Sequence, residues 1–394
     1  MTAGLGRAEQ DITAYTPPGA SSRRTRLGRA FGGCPLNSVL SKQLIARVVL
    51  LGADQAGGRG SCFLNKGVPV RYPTGPCCRV ALQLLAASAL LAACRPGVPD
   101  GPGAHALADA HAHLSYEDSS KLDSLVARGI TAVRDCGGDL SVLSRWRAEI
   151  AAGTRRGPRL YIAGPVLDGP KPDARYRLTV RTAAEAERAV DSLAALGVDF
   201  IKTHNAIPPE AFFAVLRRAR VHRLKVAAHL PRGVPAWVAA DSGAGSIEHM
   251  AESVLASPIY AGIARDPEAA VRWWASPAGD SMIAHLARTG VTVTPTLVRY
   301  EATLGMAPTP EVREARARLL PELIKLTGRL HRAGVPLLTG SDLVGVPPGT
   351  APRDGIAREV ELLQAAGLRP AEARAASSAA ALAEWFHPRP EKRE

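Results

Sequence analysis

The sequence predicts an α/β chain whose main domain, residues 106–386, is a (β/α)8 barrel of the TIM type. Two observations predict it. Eight short apolar runs alternate with segments of helical periodicity over about 280 residues, against a typical barrel length of about 250. Residues able to bind a metal or carry a proton fall at the ends of those runs, where such barrels keep their active sites.

The elements follow in order. Strands are expected at 107–114, 130–135, 159–163, 199–203, 225–229, 246–249, 291–296 and 335–341. Each is a short apolar run bounded by Gly, Pro or polar residues. Helices are expected at 120–128, 140–152, 182–196, 209–220, 234–242, 283–289, 313–333, 356–366 and 370–385. The helix at 182–196 is the strongest, with Ala186, Ala189, Val190, Leu193 and Leu196 on one stripe and Gly197 to end it. Insertions at 165–176, 252–280 and 344–353 follow the third, sixth and eighth strands and are expected to rim a pocket.

The candidate site starts at Asp109, Ala110, His111, Ala112 and His113. In an extended strand residues i and i+2 share a face, so His111 and His113 present two imidazoles together, a spacing suited to one metal ion. Lys202 ends the fourth strand in a chain that has 41 Arg and only 8 Lys. Lysine, unlike arginine, can lose its proton when desolvated. A neutral amine can take up carbon dioxide as a carbamate, whose two oxygens can bridge two metals. His229, His249 and Asp342 each follow an apolar strand. Alone, either histidine reads as a hydrogen-bonded structural residue, Lys202 as a snorkelling side chain and Asp342 as a helix N-cap. Together the six point to a metal site. His204 reads as a pocket residue, and Arg134, Thr203, Arg299 and Tyr300 as further candidates for substrate contact. His105, His222, His285, His331 and His387 fall on helices, loops or tails and are set aside.

The first part of the chain reads differently. Residues 1–78 show no sustained periodicity and are expected to be an unstructured extension from a start site placed too far upstream. Residues 79–94 read as a secretory signal, with Arg79 ahead of an apolar run that is too short for a comfortable membrane span. Its end, Leu91, Ala92, Ala93 and Cys94, resembles the lipobox of bacterial lipoproteins, which implies lipidation at Cys94, a membrane anchor and a place in the bacterial cell envelope. Residues 95–105 form a Pro/Gly-rich tether, and 387–394 a C-terminal tail. The net charge of +13 does not indicate a nucleic-acid partner, because residues 1–94 hold 11 Lys and Arg against 3 Asp and Glu. Five of the six cysteines also lie there, which leaves no disulfide framework in the main domain.

Several segments together resemble the amidohydrolase superfamily, in its imidazolonepropionase-like and prolidase-like branch. They are the Asp109 to His113 segment; Thr131, Ala132, Val133, Arg134 and Asp135; Val198, Asp199, Phe200, Ile201 and Lys202; Val226, Ala227, Ala228 and His229; and Ser246, Ile247, Glu248 and His249. Val293, Thr294, Pro295, Thr296 and Leu297, then Ala333 to Pro336 and Thr339 to Asp342, complete the set. The resemblance implies a binuclear site, usually zinc. His111, His113 and Asp342 would hold one ion, His229 and His249 the other, and carbamylated Lys202 would bridge. It implies hydrolysis of an amide, peptide or cyclic amide bond of a small molecule by metal-activated water, with Asp342 as the catalytic base that returns its proton to the leaving nitrogen. The alternatives are a lactonase or phosphotriesterase-like hydrolase with the same metals, and a non-catalytic binding lipoprotein on a retired barrel. An oligomer is compatible with all of these. The family's small β-sandwich is a point of departure, since neither half of it is visible around the barrel.

Overall fold

The computed structural model describes residues 106–116, 121–170, 176–346 and 354–387. The extension, the signal-type segment with Cys94, the tether up to residue 105 and the tail from 388 lie outside the described residues. The described part is α/β with parallel sheets. One sheet has the order β1-β2-β3, built from Leu107–Ala112, Ile130–Asp135 and Arg159–Ile162. The other has the order β5-β4-β6-β7-β8-β9. Its strands are β4 (Val166–Asp168), β5 (Arg177–Thr179), β6 (Ile201–Thr203), β7 (Val226–Ala228), β8 (Ser246–Glu248) and β9 (Thr292–Thr294). All pairings within the two sheets are parallel.

The helices form where local chemistry starts and stops them. Asp139 accepts hydrogen bonds from the amides of Ser141 and Val142 and opens Leu140–Ala151. Thr182 caps Ala183–Ala195 through Glu185 N, and the stripe Ala186, Ala189, Val190 and Leu193 is buried. Thr309 caps Pro310–Arg332, with proline at the first helical position. Gly290, at φ 69°, ends Pro277–Thr289 in the left-handed conformation that glycine adopts without strain. No helix among the described residues is long and apolar enough to cross a membrane.

One expectation is corrected, and two insertions expected to rim a pocket gain secondary structure. The run at 335–341 is not a regular strand: Leu337 makes a single parallel bridge to Val293, and Thr339 N donates to Ala376 O in a helix, away from any strand. The insertion at 165–176 contributes β4, which pairs on both edges. The insertion at 252–280 is largely helical, beginning with a π-helix at Met250–Leu255.

Strand alternation sorts the core. Val133 and Ile201 pack in the large cluster against the helices, whereas their neighbours Ala132 and Phe200 belong to a smaller second cluster. That second cluster is rich in alanine: Ala108, Ala110, Ala132, Ala163 and Ala227. Small residues leave volume, and larger side chains fill it. Arg134, Phe200 and Lys202 are among the largest fully buried side chains, and Trp385 arrives from the Ala379–Phe386 helix to pack edge-on to Phe200 at 6.0 Å. Because the strands within each sheet run the same way, their C-terminal ends lie along one edge of that sheet, and polar residues of both sheets stand there.

Candidate metal centre

His111 is buried at the end of β1, and its Nδ1 lies 2.7 Å from Glu248 Oε2. Glu248 is held as a carboxylate. Burial alone would raise its pKa, but the Arg134 guanidinium and the His111 hydrogen bond outweigh it and keep the group far below the usual range. Nδ1 of His111 therefore carries the proton, and Nε2 keeps its lone pair. His113 is fixed in the same sense: its Nδ1 donates to Gly137 O at 2.8 Å, and a carbonyl oxygen can only accept. Both Nε2 atoms face Asp342 Oδ1, at 3.9 Å from His111 and 3.4 Å from His113; burial lowers the His113 pKa, but the Asp342 carboxylate outweighs it and raises the value. Tying one ring nitrogen to an acceptor so that the other can ligate is how metal-binding histidines are oriented.

His249 and His229 complete the ring. His249 Nδ1 lies 2.9 Å from Thr296 Oγ1 and 3.8 Å from Asp342 Oδ2. Its ring is 4.7 Å from that of His111 and 4.6 Å from that of His229, centroid to centroid. His229 in turn lies 4.4 Å from His204. Burial pushes the His111 imidazole down to about 4 and that of His249 well below its usual value, so both are neutral, the form a metal requires. Asp342 is the opposite case. Burial would raise it, but the imidazoles of His111 and His113 and the Arg299 guanidinium hold it well below the carboxylate range. Ligand atoms of His111, His249 and Asp342 lie within 4.8 Å of one another, a nitrogen and oxygen donor set that fits zinc or a similar divalent ion. His111, Cys136 and Glu248 satisfy the same distance, but Glu248 already accepts from Arg134, Ser246 and His111. Lys202 is buried beside these groups, its Nζ donating to Thr203 O at 3.1 Å, and burial lowers its pKa.

The backbone is shaped to bring these side chains in. His249, Thr296 and Asp342 all have positive φ, at 69°, 49° and 45°. Each such residue costs about 1–3 kcal/mol and persists only where its surroundings enforce it, commonly at functional sites. Asp342 N donates to His111 O at 2.8 Å, and Asp109 Oδ1 accepts from both His111 N and Ser341 N at 3.0 Å. Gly340 makes this closeness feasible, since a Cβ there would sit 2.5 Å from His111 Cβ.

His111, His113, Lys202, His229, His249 and Asp342 line one cavity of about 440 Å³. No protein-family model matches the sequence, and no curated protein does. Among solved structures the chain is similar to bottromycin amidohydrolase, with 25% identity and a TM-score of 0.58 over 72% of this chain and 68% of that one. The chain is an enzyme of the amidohydrolase superfamily. Two further structures share its fold. A putative prolidase from Bifidobacterium longum is 24% identical, with a TM-score of 0.53 over 72% of this chain and 69% of that one. The ochratoxinase of A. niger is 19% identical, with a TM-score of 0.53 over 71% of each chain.

In this amidohydrolase the cavity brings together His111, His113, Lys202, His204, His229, His249, Arg299, Tyr300 and Asp342. Two of the expected substrate contacts are corrected. Thr203 is fully buried off the cavity wall. Arg134 is fully buried beneath the site, its donors directed to Ala110 O, Ser246, Glu248 and Thr294. Sequence reasoning missed Glu248, although it stands beside His249, and Thr296, although it stands in the Thr294 to Leu297 segment. It also missed Arg177, which lines the cavity and is held by Asp168 at 2.5 Å. The signal for Glu248 was present: an acid in a short strand with apolar Ile247 before it must find a buried partner.

Proposed function

We propose that this enzyme hydrolyses a C–N bond, in an amide, peptide or cyclic amide of a small molecule, using two divalent metal ions, zinc in the first instance. The observation that carries the reading is the convergence of three imidazoles, those of His111, His113 and His249, on Asp342, with Nδ1 of His111 and of His113 tied elsewhere and His229 packed against His249. His111, His113 and Asp342 would hold one ion, His229 and His249 the other, and Lys202 would bridge as a carbamate. Bound there, the ions would supply Lewis acidity and a water of lowered pKa. The remaining work belongs to the chain. Asp342, kept ionised, takes the proton of the attacking water and returns it to the leaving nitrogen. Burial lowers the proton affinity of Lys202 and so favours the neutral amine that reacts with carbon dioxide. Arg299, Tyr300 and His204 line the wall open to substrate.

The fold we infer for the whole is a closed (β/α)8 barrel over residues 106–386. Asp199 N donates to Ile162 O at 2.9 Å, which ties β3 to the segment entering β6. Val293 N donates to Pro336 O at 2.9 Å and Ala110 N to Thr339 O at 2.8 Å, which ties β9 through residues 336–339 to β1. These bonds support closure on both sides. For the region before it, we propose lipidation at Cys94 and a place in the bacterial envelope, on the sequence alone.

The chemistry fits the relatives, one named an amidohydrolase and one a putative prolidase. The test is metal analysis of the purified chain with a screen over N-acyl amino acids, dipeptides and lactones. Two metals per chain and cleavage of an amide are expected. Near-zero metal from cells grown with zinc would overturn the reading in favour of a binding protein, and hydrolysis confined to lactones in favour of a lactonase.

A further inference from the structure

We propose that Arg134 and Glu248 are positioning residues of the metal site, and that the C-terminal helix Ala379–Phe386 is part of the same device. The inference rests on the metal reading above and deepens it. Glu248 is wholly buried and uses both oxygens: Oε1 accepts from Arg134 Nη2 and Ser246 Oγ, while Oε2 accepts from Arg134 Nη2 and from His111 Nδ1. Arg134 is likewise fully engaged, with Nε on Ala110 O, Nη1 on Ser246 Oγ and Nη2 also reaching Thr294 Oγ1 at 3.1 Å. Trp385 closes the face of the guanidinium at 4.6 Å to the ring centroid, and Phe200 packs at 5.6 Å.

A buried ion pair alone is weak evidence of anything, because well-packed apolar residues often replace one without loss. What distinguishes this pair is its third member. The carboxylate that Arg134 holds in place is the one that fixes the His111 proton on Nδ1 and aims Nε2 at Asp342. Ser246, Thr294 and Ala110 sit on three different strands, so the guanidinium sets the height of Glu248 against the framework that carries the ligands. Trp385 prevents the guanidinium from retreating into the volume left by the alanine-lined cluster. An amide at position 248 could not serve, since it offers one acceptor oxygen where three side chains donate.

The experiment compares the wild type with Glu248→Gln, Arg134→Met, the double variant Arg134→Met/Glu248→Gln, and Trp385→Ala. All are full chains stripped with a chelator. Two quantities are measured: zinc affinity, by competition with a chromophoric chelator, and the metal-free unfolding midpoint. Either single variant at Arg134 or Glu248 should be destabilised. The double variant removes both charges and should regain much of that stability. Its zinc affinity should stay about 10- to 100-fold below wild type, the usual effect of removing a group that orients a ligand. Trp385→Ala should weaken zinc binding in the same direction although it lies outside the cavity. A double variant whose zinc affinity matches wild type would overturn the proposal and leave the pair a structural ion pair. A wild type that binds no zinc would instead overturn the metal reading itself, so the two failures are distinguishable.

Discussion

Replacing Lys202 with methionine should make the metal-free enzyme more stable while costing it the ability to hold two ions. Lys202 is 2% exposed and stands among the largest fully buried side chains. Its ammonium has three donors, and its hydrogen bond runs to Thr203 O at 3.1 Å. Glu248 and Asp342 attract the charge, but burial outweighs them and lowers the pKa. A buried donor left short of partners costs about 1–3 kcal/mol, and more when charged. Methionine keeps the unbranched shape and fills the same space with little packing penalty. Relief of about 1–3 kcal/mol should raise the melting temperature by on the order of 5 °C for a chain of this size. The assay is thermal unfolding of chelator-treated wild type and Lys202→Met, with zinc titrations on both. A melting temperature that falls in the variant would refute the reasoning: the ammonium would then be a net stabiliser, and a lysine kept for the fold would need no metal to explain it. A variant that gains stability and still binds two ions would refute the bridging role alone.

Three further outcomes are expected. His111→Ala combined with His113→Ala should abolish hydrolysis and lower the metal count from about two per chain; unchanged activity would remove β1 from the site. Glu359 accepts from Leu297 N and Val298 N at 3.0 and 2.7 Å, yet burial pushes its carboxyl up to about 8. Its folded pKa lies above the unfolded value of about 4.3, so the folded chain retains a proton that the unfolded chain releases, and stability should fall as pH rises from about 4.3 toward 8. Urea midpoints between pH 5 and 8.5 should show that slope flattened in Glu359→Gln, and equal slopes would refute it. Cys94→Ala should release the protein from the membrane fraction; fractionation identical to wild type would remove the lipid anchor.

Much of the fold was legible because the relevant patterns are local. The i, i+2 spacing of His111, in β1, and His113, one residue past its end, already suggests that the two imidazoles meet, and their ring centroids lie 5.5 Å apart. The stripe Ala186, Ala189, Val190 and Leu193 with Thr182 before it specifies a helix from a dozen residues. Parallel strands between helices also settle which strand ends meet, and so the ligand-type residues could be gathered from sequence onto one cavity wall.

What the tertiary structure decided is what depends on distant partners. The sequence alone determined that Arg134 ends an apolar strand, and that position is equally consistent with a side chain reaching a substrate. Only the tertiary structure revealed Glu248, 114 residues away on β8 in the other sheet, as its partner and sent it below the site. The strand Val166–Asp168 is too short to show a period, and it exists because neighbours on both edges supply its hydrogen bonds. The left-handed backbone at His249, Thr296 and Asp342 has no signal in residues that are not glycine. It is imposed by contacts such as Asp342 N on His111 O, whose two residues come from opposite ends of the domain. Local periodicity fixes which face a side chain takes, whereas the group it meets there is fixed by the register between strands, and that register is a property of the assembled sheet.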